Sequence, residues 1–188
     1  MGVTLQLTTE RKVLDAMSQF TPFEDLKNES DVEQKLLYPL LTTAPPTGLG
    51  FSPSEVRTKP NIKKLTIGKG SSSKLYFPDY LILIAGIPIV IVEAKAPGED
   101  LKDALREARL YATELNARYP AGINPCNRVV VTDGAHIFLS SWDSQVIDLE
   151  VAFEDINPAS HTFSAFVEQL SRSNIKEYAD RILVDLRE

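Results

Sequence analysis

Asp79, Glu93 and Lys95 are the residues whose types and spacing suit catalysis. Side chains of a β-strand alternate between faces, so Glu93 and Lys95, behind the apolar run Ile89-Val90-Ile91-Val92, point the same way. A three-residue loop over Gly86 to Pro88 would bring Asp79 opposite Lys95 and diagonal to Glu93. Another loop length turns Asp79 to the other face, because a slip of one residue inverts every side chain, and the sequence leaves that length open. Two carboxylates one strand spacing apart repel unless a cation stands between them, and hard oxygen ligands suit magnesium. Such an ion activates a water and stabilises charge developing on a phosphodiester. Lys95 would orient or help deprotonate that water, or neutralise phosphate charge. The competing reading is a cross-strand Asp–Lys pair in a solvated sheet, worth roughly 0.2–1 kcal/mol. The apolar flanks, Leu75-Tyr76-Phe77 before Pro78 and Ile89 to Val92 before Glu93, favour a buried site, where unpaired carboxylates are costly.

The elements that must position these residues follow from periodicity. Thr9 to Phe20 reads as a short helix closed by Thr21-Pro22, and a second helix should begin at Ser30. There Ser30-Asp31-Val32-Glu33 has the capping-box pattern, Leu36, Leu37, Leu40 and Leu41 follow, and Pro39 should kink or end the helix. Thr42 to Ser54 is a loop and Glu55 to Lys59 a short strand. Lys74 to Ala85 and Ile87 to Ala96 form a hairpin turning at Gly86. Glu99 to Arg118 is the longest helix, with Leu101, Ala104, Leu105, Ala108, Tyr111, Ala112 and Leu115 on one stripe. Arg128 to Thr132 is a strand, Asp133-Gly134 a type I′ turn signal, Ala135 to Trp142 its partner and Gln145 to Val151 an edge strand. Helices over Thr162 to Leu170 and Ile175 to Leu186 finish the chain. This order predicts an α/β domain with a central mixed β-sheet flanked by helices.

Composition narrows the function. With 188 residues, 43% apolar, the chain can bury a core. The single cysteine, Cys126, cannot form an internal disulfide, and no Cys/His cluster has structural zinc spacing, which fits a reducing, cytoplasmic setting. No signal peptide is evident, and no apolar run approaches the roughly 20 residues of a membrane span. Gly68-Lys69-Gly70 fails the spacing of an ATP-binding P-loop. The net charge is −6, yet Val56 to Pro78 holds Arg57, Lys59, Lys63, Lys64, Lys69 and Lys74 and no acid. Screening makes phosphate attraction local, so these six residues are candidate DNA contacts on an acidic protein. A solvated lysine-rich loop is the alternative. His136 and His161 lack a catalytic partner pattern, and Trp142 reads as core.

Phe77-Pro78-Asp79-Tyr80, then Ile91-Val92-Glu93-Ala94-Lys95-Ala96, then a helix with Glu107-Ala108-Arg109-Leu110-Tyr111 resembles the PD-(D/E)XK nuclease superfamily. More closely the chain resembles the N-terminal nuclease domain of type I restriction enzyme R subunits. The resemblance extends from about Glu29 to Trp142 and includes Asp31-Val32-Glu33, Leu36 to Leu41 and the Val131-Thr132-Asp133-Gly134 turn. It implies a restriction-endonuclease-like core over residues 29–152, with an N-terminal extension over 1–28 and C-terminal helices over 153–188 that could lead to a motor or ATPase region. It implies that Asp79 and Glu93 bind magnesium, with Mn2+ able to substitute, that the Ala94 carbonyl completes the set, and that Lys95 is the catalytic lysine. Glu33 matches an acid of the first helix that meets the metal through water, although it also fits the capping box with Ser30. The resemblance also implies a substrate-contacting pair on the helix after Lys95, here Glu107 and Tyr111, with Glu107 standing where a glutamine is expected four residues before the tyrosine. A carboxylate there repels phosphate unless metal or lysine intervenes, and Tyr111 also fits apolar packing.

The function implied is a magnesium-dependent DNA endonuclease of a restriction or other antiphage defence system. Its partners would be DNA, a fused or separate ATP-dependent motor or defence ATPase, and other restriction subunits. The alternative is an inactive nuclease-fold module for DNA binding or assembly.

Overall fold

An uninterrupted apolar run forms the centre of the molecule. In the computed structural model, which describes residues 20–60 and 78–187, the strand β3 (Ile87–Ala94) is buried at all eight positions. A strand covered on both faces has no polar side to present, so its sequence shows no alternation. It sits inside a six-stranded sheet made with β1 (Val56–Thr58), β2 (Tyr80–Ile84), β4 (Arg128–Thr132), β5 (His136–Ser141) and β6 (Leu149–Ala152). Spatial order follows chain order, and every neighbouring pair is antiparallel except β3 with β4. The expected α/β fold with a mixed sheet flanked by helices is what forms.

The one parallel pair needs a crossover, which helix α2 (Leu101–Asn116) supplies. Asp100 caps α2 by accepting from the Lys102 N–H at 2.8 Å. Its stripe of Leu101, Ala104, Leu105, Ala108, Tyr111 and Leu115 packs with Leu81, Ile91, Val129 and Val131 on one side of the sheet. At its end Asn116 accepts from the Cys126 N–H and donates to the Cys126 carbonyl, both at 2.9 Å, fixing the return into β4.

The other face meets helix α1 over residues 29–42 and two C-terminal helices, α3 (His161–Leu170) and α4 (Arg172–Asp185). Leu36, Leu37, Phe163, Phe166 and Ile175 join Ile82, Val90, Val92, Ile137 and Leu139 in the larger core cluster. Arg172 holds the start of α4 to the chain before β1, donating through Nε and Nη2 to both Glu55 carboxylate oxygens at 2.7–3.0 Å.

Helix α1 corrects the expected start. Its N-cap is Asn28, whose side chain accepts from the Asp31 N–H, while Asp31 Oδ2 accepts from the Lys27 N–H. The capping box at Ser30 and Glu33 is therefore not formed. Pro39 does not end the helix either. Its ring would collide with the Lys35 carbonyl in a regular α-helix, and the turns before it widen to a π-helix over Val32–Leu37 before α-helix resumes over Tyr38–Thr42.

Two turns exchange roles. Ala85 and Gly86, with φ of 50° and 83°, make a two-residue turn of type I′ character between β2 and β3, shorter than the loop expected. At Asp133-Gly134 only the glycine has positive φ, so no type I′ turn forms. Asp133 Oδ1 instead accepts from the Ala135 and His136 N–H groups in a longer connection. Edge strand β6 starts at Leu149 rather than Gln145, and Trp142 is half-buried at the rim. Of the expected leading helix over Thr9 to Phe20, all but Phe20 lies outside the described residues, as do 74–77 of the expected strand before Asp79.

Candidate functional site

Asp79 reaches Glu93 through a compensated register. Continued unbroken from the Ala85-Gly86 turn, the hairpin would pair Asp79 with Val92 and turn it to the opposite face. A β-bulge at Ile82/Leu83, with Ile89 as the extra residue, shifts the ladder by one, so Tyr80 pairs with Val92 and Asp79 comes level with Glu93. The expected alignment with Lys95 is corrected, but the shared face is kept.

Three carboxylates lie buried here: Glu33 is 8% exposed, Asp79 6% and Glu93 4%. Asp79 Oδ2 accepts from the Ala94 backbone N–H at 2.7 Å, anchoring the carboxylate across the strand pair. Burial pushes the Asp79 carboxyl up to about 6; Glu33 and Glu29 add to the lift, against the Ala94 amide and Lys59. Burial, followed by the charge of Asp79, raises Glu93 well above the usual carboxylate range. Glu93 Oε1 is buried with no hydrogen-bond partner among the described residues.

Released from capping, Glu33 faces this site. Its carbonyl accepts from the Tyr80 hydroxyl at 3.0 Å and from the Tyr38 N–H, which closes the π-helical turn. Glu29 joins it: one carboxylate oxygen each from Glu29, Glu33 and Asp79 lie within 4.8 Å of one another. Glu29 was missing from the sequence-derived set, although its four-residue spacing from Glu33 puts both acids on one helix face.

Two lysines attend the carboxylates. Lys59, at the end of β1, places Nζ 3.2 Å from Glu33 Oε1 and 3.7 Å from Asp79 Oδ1. Lys95 follows β3, donates its backbone N–H to the Thr132 carbonyl at 2.8 Å, and sets Nζ 3.3 Å from Glu107 Oε2 on α2. Burial alone would depress the Lys95 ammonium; Glu93 and Glu107 outweigh it and hold it above its ordinary value. Glu107 thus meets a lysine, the circumstance under which an acid can stand there. Tyr111 is buried in the α2 core cluster.

The remaining candidates divide. Arg57 is exposed on β1, whereas Lys63, Lys64, Lys69 and Lys74 lie outside the described residues. His136 and His161 are exposed. Asp133 is occupied by backbone donors, including the Gly98 N–H at 3.2 Å. No helix among the described residues is long and apolar enough to cross a membrane.

The donor set fits a hard divalent cation. Every carboxylate here offers oxygen, and Glu93 Oε1 is a buried acceptor left without a donor. Glu29, Glu33 and Asp79 are the clustered residues that would hold it, with buried Glu93 level with Asp79 on the neighbouring strand.

No curated protein matches the chain. A chain in the cryo-EM structure of a DrdV–DNA complex is similar at 15% identity and a TM-score of 0.48, over 85% of this chain and 93% of that one. Residues 65–141 match the family model of the type I restriction enzyme R protein N terminus, so the resemblance read from the motifs is borne out across the stretch carrying Asp79, Glu93 and Lys95.

Proposed function

We propose that this chain is a magnesium-dependent, DNA-cleaving module of a restriction system. The observation that carries the reading is the buried, level pair Asp79 and Glu93, with an unpartnered oxygen on Glu93 and Lys95 immediately past the end of the same strand. Charged carboxylates in such a place are tolerable when a cation meets them. A bound magnesium ion would supply Lewis acidity and a more acidic water.

The chain's own groups do the positioning. The Ala94 N–H fixes one Asp79 oxygen, leaving the other toward Glu33 and Lys59. Lys95 brings an ammonium to the phosphate or to the attacking water, and Glu107 steadies it from α2. Lys95 and Thr132 join the ends of β3 and β4, so the pair sits where the one parallel step of the sheet opens. Exposed Arg57 and the lysines of the 56–78 segment would meet the DNA backbone. A matched family named for a restriction enzyme R protein supports DNA as substrate.

Supercoiled plasmid incubated with the protein and Mg2+ or Mn2+ tests this. Wild type is expected to nick or linearise the plasmid, while Asp79→Ala and Lys95→Ala lose on the order of 100-fold or more in rate. Equal cleavage by all three proteins would refute the assignment.

A further inference from the structure

We propose that Lys59 is a built-in counter-ion that occupies the carboxylate site in the metal-free protein and competes with the divalent cation for it; this rests on the function proposed above. Its ammonium bridges carboxylates from two different elements, Glu33 of α1 at 3.2 Å and Asp79 before β2 at 3.7 Å. A point charge between two carboxylates does what a cation does there: it offsets their mutual repulsion.

The backbone at Lys59 is arranged for this contact. Its N–H donates to the Asp79 carbonyl at 2.9 Å, which ties the residue to one of the groups it neutralises. Its φ of 40° lies in the left-handed region, a conformation that L side chains enter at a cost and that is held only where the surroundings impose it. That residue ends the regular extended run of β1 over the carboxylates.

The side chain, by contrast, is free to leave. It is 57% exposed while the side chain of Glu33 is only 10% exposed, so the ammonium enters from the solvent side on a four-carbon stem. Rotation of that stem withdraws the charge without disturbing the core. Lys59 therefore offsets the repulsion between Glu33 and Asp79 and holds them close together before metal arrives, at the expense of metal affinity.

Titration calorimetry of the full chain with Mn2+ tests this, using wild type, Lys59→Met, Lys59→Arg and Lys35→Met. Lys35 lies on α1 but pairs with Asp31 at 2.7 Å, so its loss removes the same charge without touching the site. Lys59→Met is expected to bind Mn2+ on the order of tenfold more tightly. Lys59→Arg, which keeps the charge, and Lys35→Met should stay within about twofold of wild type. Circular dichroism confirms folding of each variant. Equal affinity in wild type and Lys59→Met, or an equal gain in Lys35→Met, overturns the counter-ion while leaving the nuclease reading intact. Absence of binding in every variant overturns both.

Discussion

Asp79 and Glu93 are acids placed where acids are costly, and that cost is measurable. Burial lifts the Asp79 carboxyl from the ordinary 3.8 to about 6, a difference of about 3 kcal/mol between protonation states. Because the folded pKa is raised, the folded protein binds more protons than the unfolded chain between about pH 4 and 6. Stability from this group is full below that window and declines as pH rises through it. Urea denaturation in EDTA from pH 4 to 7 should show wild type losing up to about 3 kcal/mol relative to Asp79→Asn. Parallel curves would contradict the burial argument. The shared face of Glu93 and Lys95 was legible in the sequence, because strand alternation is local. The face of Asp79 was not. It depends on a turn one residue shorter than expected and on a bulge at Ile82/Leu83 that restores the alternation, and a bulge leaves no composition signal. Glu29 and Lys59 arrive from α1 and β1, and only tertiary packing brings those elements to β2.

Among the elements, the crossover from β3 through α2 to β4 does most to hold the site open at one end of the sheet. Its geometry was readable: an apolar run, a capped amphipathic helix and a second apolar strand allow few other arrangements. Side-chain capping was less readable, because Asn28 and Ser30 are both good caps and the choice between them depends on how α1 docks. The same docking decides that Glu33 faces the carboxylates. At the far end of α2, Asn116 satisfies both the Cys126 N–H and its carbonyl in a buried setting. Asn116→Ala should cost about 1–3 kcal/mol in urea denaturation, since those backbone groups lose their partner. Metal affinity should be unchanged, because the lesion lies more than two helical turns beyond Glu107, at the end of α2 away from the site. A loss below about 0.5 kcal/mol would show that water replaces the side chain fully.

For the molecule as a whole, charge and layering serve one end of the sheet. Helices cover both faces, leaving the open end of the β3–β4 pair as the place where buried carboxylates meet solvent-facing lysines. The chain's net charge of −6 conceals a basic stretch from Val56 to Pro78 that runs directly into Asp79. That juxtaposition suits a phosphate-bearing substrate on an acidic protein, where attraction need act only over about 10 Å. The central claim is that Asp79 and Glu93 hold a divalent cation beside Lys95. Anomalous diffraction from crystals soaked in Mn2+ locates that ion directly. The expected result is a peak at about 2.0–2.2 Å from oxygens of both Asp79 and Glu93, absent in Glu93→Gln. A peak confined to other acids, or none at saturating Mn2+, would contradict the account.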